Sequence, residues 1–147
     1  MDFNFNKFME SYALEIGGQF SEYDKNKSVI IVPLGDNRFQ AVLGIVKLNE
    51  KYDKIGIEFS SKVCPFSEEF DLKILLEENA KTCFAKIVIV DDYIKVEGST
   101  FIDAMVAEGL KEIIQEVANV ADEWEYKLTG KDINWVLAHI AETIYDR

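Results

Sequence analysis

Catalysis needs reactive side chains within reach of one another, and this chain offers few. Its single histidine is His139. A nucleophilic triad needs a base, usually histidine, beside a serine or cysteine. At helical spacing His139 falls about 130° from the centre of its helix's apolar stripe, on the solvated flank, where an ordinary surface histidine is expected. The two cysteines, Cys64 and Cys83, lie in apolar stretches with no C-x-x-C spacing. They read as buried, inert thiols. One histidine and two scattered cysteines cannot close a zinc site.

Paired-acid chemistry has three candidates, Glu68-Glu69, Glu77-Glu78 and Asp91-Asp92. All fall at helix starts, polar helix faces or turns, where solvated carboxylates are expected. No calcium-loop spacing occurs. Gly17-Gly18 follows a helix instead of joining a strand to one, so it makes no phosphate cradle, and Gly130 in the stretch Lys127–Lys131 ends a helix. The expectation is a non-enzymatic chain with no catalytic, cofactor or metal residues.

The bulk numbers agree with one ordinary domain. The chain has 147 residues, 48% hydrophobic and 29% charged, enough for a proper core and unlike a disordered segment. No apolar run approaches the roughly 18–20 residues that cross a bilayer. The start, Met1 to Lys7, lacks the features of a signal peptide, so the expected address is the cytoplasm. With 16 Lys+Arg against 27 Asp+Glu, the net charge is −11. That field disfavours nucleic acid and favours a basic partner, although acidity also serves solubility alone.

The elements follow from periodicity. Phe5, Phe8, Met9, Tyr12, Ala13 and Ile16 recur at helical spacing and predict a first helix over 3–16, stopped by Gly17-Gly18. Val29 to Val32 is a β-branched run, Gly35-Asp36-Asn37 a turn, and Phe39 to Leu48 a returning strand. Ile55, Ile57 and Phe59 alternate in a third strand ended by Pro65. Leu72, Leu75, Leu76 and Ala80 predict a short second helix. A second hairpin is read as Cys83–Val90, a turn at Asp91-Asp92, and Tyr93–Glu97. Its first strand is apolar on both faces, so it is expected at the centre of the sheet. Thr100 and Asp103 read as the capping start of a long third helix, whose stripe runs from Ile102 to Leu128 and includes Trp124. Asp132 then caps a fourth helix with Ile133, Val136, Leu137, Ile140, Ala141 and Ile144 on one face. Trp135 lies nearly opposite that face, beside His139. It rests either on its own chain or in an interface.

The order of elements resembles the type III secretion chaperone-like fold, including its YbjN-like relatives. Leu75-Leu76-Glu77-Glu78-Asn79-Ala80 is similar to the family's L-L-x-x-N-A stretch, and Phe84–Ile89 with Tyr93–Glu97 resembles its fourth and fifth strands. Val117–Asp122, with Glu125 and Leu128, is similar to the end of its long helix. The resemblance covers about residues 3–129 and departs from the family in the extra helix after Gly130. It implies an α+β fold: a five-stranded antiparallel sheet in the order α-β-β-β-α-β-β-α, plus that C-terminal helix. It also implies a homodimer that binds a polypeptide segment on its sheet and first-helix surfaces, where Phe8 and Tyr12 lie. Those two, with Trp135 and His139, are the candidate partner-binding residues. The function expected is chaperone-like or adaptor binding, with neither nucleic acid nor membrane as partner. The alternative is an acidic immunity protein that masks a basic toxin surface.

Overall fold

The structure, a computed structural model, describes residues 3–130. Helix α1 (Phe5–Glu15) starts where the Asn4 side chain accepts the Lys7 N–H at 3.0 Å, a standard N-cap. Then come β1 (Gln19–Asp24), β2 (Lys27–Gly35), β3 (Arg38–Asn49) and β4 (Lys54–Pro65). Helix α2 (Leu72–Glu78) is capped by Asp71. Strands β5 (Lys86–Val90) and β6 (Tyr93–Phe101) lead through a 3₁₀ turn at Ile102–Ala104 to α3 (Ala107–Thr129). The described chain is therefore α+β, with three α-helices and one open sheet of six antiparallel strands ordered β1-β2-β3-β4-β6-β5.

Two hairpins close with two-residue turns whose residues both take positive φ, Asp36-Asn37 and Asp91-Asp92. Such turns match the twist of the flanking strands and favour Asn, Asp and Gly, which explains the Asp91-Asp92 pair without invoking chemistry. The β-branched run of β2 is buried on both faces. Ile30 and Val32 enter the main core, while Val29 faces its register partner Leu43 in a small second cluster with Ala41.

The main core lies between the sheet and the helices α1 and α3. Its centre is Phe59, fully buried on β4, whose register partners are Gly44 on β3 and Gly98 on β6. A β-carbon at Gly44 would lie 2.7 Å from Met9 Cε and Phe5 Cζ, and one at Gly98 would lie 2.9 Å from Ile113 Cγ2. The two glycines thus let α1 and α3 settle on either side of one ring, and Phe5 meets that ring at a centroid distance of 6.1 Å.

Four expectations are corrected. The sheet has six strands instead of five, because Gln19–Asp24 pairs with β2 although only Phe20 is turned into the core. The strand expected at the centre is the edge strand β5, and Ile89 is 47% exposed. The reason is that β6 pairs along its whole length with β4, which leaves β5 outermost. Cys83 lies before that strand and is exposed, whereas Cys64 is buried as expected. Thr100 belongs to β6, and α3 begins at Ala107 after Val106, which makes no side-chain cap. Trp124 is in the core as expected, and Gly130 ends α3 with a left-handed φ of 65°. The fourth helix, with Trp135 and His139, lies outside the described residues. None of the described helices is long and apolar enough to cross a membrane.

Candidate polypeptide-binding edge

An open sheet presents two edges of backbone N–H and C=O groups that can pair with an extended chain. In this molecule the two edges are treated differently. At β5 the Asn79 side chain, just past α2, accepts the Ile87 N–H at 2.7 Å and donates to the Ile87 carbonyl at 3.2 Å. One amide thus occupies both outward groups of Ile87, as a neighbouring strand would. By the period of two along a strand, Ile89 is the only other residue of β5 whose groups point outward.

The loop before β5 is fastened to α3. The Glu116 carboxylate accepts three consecutive backbone N–H groups, from Cys83 at 2.9 Å, Phe84 at 2.6 Å and Ala85 at 2.7 Å. Such a row of N–H groups is an anion-binding concavity, here filled by the chain's own carboxylate. Partial burial works against the charge. The three N–H donors and the nearby Lys86 outweigh it and hold Glu116 below the ordinary carboxylate range. Lys86 Nζ in turn donates to the carbonyls of Asn79 at 3.0 Å and Thr82 at 3.1 Å.

Among the described residues, the opposite edge, β1, has no such fastening. Apart from Phe20 its residues are exposed. Among the described residues, Asn6 alone bonds its backbone from outside the ladder, donating to the Asp24 carbonyl at 2.5 Å. Its acidic side chains, Glu22 and Asp24, add to the field of a chain with net charge −11. The physical chemistry of this edge suits an extended segment bearing cations.

Two concavities formed by described residues also lie on the surface. One, of about 310 Å³, sits beside the β3–β4 hairpin, where Tyr52 meets Phe101 edge-on at 5.7 Å and Lys47 pairs with Glu58 at 3.4 Å. Among the described residues that line it, Glu58 is the only carboxylate. The other, of about 210 Å³, is an apolar groove between Phe84 and the start of α3, edged by Val106, which is 68% exposed. The short helix α2 adds exposed Leu72, Ile74 and Leu76 on the same side of the sheet as β5. No group of three or more His, Cys, Asp or Glu side chains converges on a metal site among the described residues.

Of the four candidate binding residues, Tyr12 is 4% exposed, and its hydroxyl accepts from Gln115 Nε2 at 2.9 Å across the α1–α3 contact. Burial raises its hydroxyl above the ordinary range. Phe8 is half-buried and stacks on Tyr12 at 6.2 Å. Trp135 and His139 fall outside the described residues. Sequence reasoning missed Asn79 and Glu116 as edge-forming residues. A polar amide between a helix end and a strand start is a usable signal for the first. Glu116 carries none, because its partners are 31 to 33 residues away. Comparison with protein-family models finds no match, and comparison with curated proteins finds none either.

Proposed function

We propose that this chain is a non-enzymatic protein-binding domain, chaperone-like or adaptor in kind, that acts as a homodimer in the cytoplasm. It holds a basic, extended polypeptide segment by strand addition at β1. The observation that carries this reading is the unequal treatment of the edges: Asn79 occupies the outward groups of Ile87 on β5, while among the described residues the backbone of β1 is bonded from outside the ladder only at Asp24. Main-chain pairing would supply affinity, and Glu22 and Asp24 would select cations on the incoming segment. The resemblance to the type III secretion chaperone-like and YbjN-like family belongs to the same proposal. So does the dimer, for which the exposed apolar residues of α2 and the groove at Val106 offer surface.

The net charge of −11 favours one second reading, an immunity protein covering a basic toxin. The experiment that separates the readings is a screen of the intact chain against an array of basic peptides, followed by amide hydrogen exchange. Strand addition slows exchange selectively over Gln19–Asp24. A toxin mask instead binds a folded basic protein and ignores the peptides. Peptide binding that leaves Gln19–Asp24 unprotected sinks the β1 proposal. Sedimentation at tens of micromolar tests the dimer separately.

A further inference from the structure

Near its C-terminal end α3 carries a carboxylate on the face that packs against β3 and β4. Glu125 is 1% exposed, and among the described residues neither of its oxygens has a hydrogen-bond partner. One turn earlier is Asp122, held to Arg38 of β3 at 2.8 Å, with its other oxygen buried and unpartnered. On β3, two residues from Arg38, Gln40 donates to Ser61 Oγ at 3.0 Å and to the Lys62 carbonyl at 3.1 Å. Its own side-chain oxygen is left buried without a donor. Buried acceptors thus gather on this part of the α3–sheet contact, and the indole N–H of neighbouring Trp124 is likewise buried without a partner. An ionised, unpaired carboxylate in such a place is far costlier than a neutral one.

We propose that Glu125 carries a proton in the folded chain at neutral pH, and that this proton locks the last two turns of α3 onto the sheet. Protonation turns an acceptor-only group into one that carries an O–H donor, and it removes the charge that burial penalises. Among the described residues, the charged groups acting on it are Asp122 of α3 and Arg38 of β3, and Glu125 acts in turn on Cys64 of β4. Burial is the main cause that pushes Glu125 up to about 8, and the neighbouring Asp122 charge adds to it while Arg38 opposes it. The Cys64 thiol responds in kind, pushed up to about 11 by burial first and by Glu125 second. Asp122 is engaged by Arg38, so that cation is shared and does not neutralise Glu125 outright.

The direction of the pH effect follows. Glu125 rises on folding from an ordinary 4.5 to about 8, so its contribution is complete below about pH 4.5 and is lost as pH climbs towards 8. Within that window each pH unit lowers the folded-to-unfolded ratio by a factor approaching about ten, or several degrees in Tm.

The test is thermal unfolding of the wild-type chain and of Glu125→Gln, which mimics the protonated form, across pH 5 to 9. The expected result is a wild-type Tm that falls from pH 5 to 8 beside a variant whose Tm is flatter and higher at pH 8. Parallel profiles for the two proteins overturn the proposal. Should the variant fail to fold, the carboxyl carbon of Glu125 in the wild type, followed by NMR, decides the matter. A midpoint well above neutrality upholds the lock, and a midpoint near 4.5 removes it.

Discussion

The two edges of this sheet pose the same physical problem and meet it in opposite ways. Strand β5 spans Lys86–Val90, and one side-chain amide covers both outward groups of Ile87, one of its two residues whose groups point outward. Strand β1 spans Gln19–Asp24 and, among the described residues, has its backbone fastened from outside only at Asp24. A protein that merely needed to avoid self-association would gain from blocking both edges. That difference is the ground on which the proposed strand addition at β1 rests.

The sharpest way to break the comparison is to place proline in β1, at Ser21 and at Glu22 in turn. Along a strand, N–H groups alternate between the partner strand and the outside, so the two substitutions separate folding from binding. The proline whose lost N–H faced β2 is expected to destabilise by about 3 kcal/mol in denaturant unfolding. The other is expected to cost less than about 1 kcal/mol and to abolish peptide binding. Equal effects on both quantities at both sites would dissolve the proposed role of this edge.

Next in size is Glu116→Ala, which removes a charged acceptor shared by three N–H groups and is expected to cost about 2–3 kcal/mol by the same measurement. Because the folded-state pKa of Glu116 is lowered, its contribution is present above about pH 4.5 and fades as the pH falls below that value. A wild-type acid titration should therefore lose stability there, and the alanine variant should lose less. Asn79→Ala is milder, about 1–2 kcal/mol. Its more telling consequence is a second open edge, seen as concentration-dependent association in sedimentation. The smallest expected effect is chemical. A thiol reagent should modify exposed Cys83 quickly and reach buried Cys64 only on unfolding, with no change in binding.

Much of this architecture was legible because one face of nearly every element is apolar. The stripes of α1 and α3 and the β2 run state their own periods. Strand β1 was not legible: Gln19-Phe20-Ser21-Glu22-Tyr23-Asp24 turns a single side chain inward, and an edge strand needs no more. The stretch Cys83–Ala85 reads as strand because it is apolar, yet its amides are given to Glu116 instead of a neighbouring strand. The third helix starts late because β6 continues to Phe101, using residues that look like a cap. The edge residues were hidden for a related reason: Asn79 and Glu116 act on backbone, and backbone leaves no trace in composition. Glu125 could have been found, since it falls inside the stripe between Ala121 and Leu128 where a charge has no business.

The ring of Phe59 between Gly44 and Gly98 has a bearing on how this sequence tolerates change. In a saturation scan the ring itself should accept smaller apolar residues, each leaving a void that neighbours partly refill. Its two glycine neighbours should reject nearly everything, since even one added carbon presses on Met9 and Phe5 at one site and on Ile113 at the other. The most restrictive positions on the helix-bearing face of the sheet are thus the two that contribute no side chain.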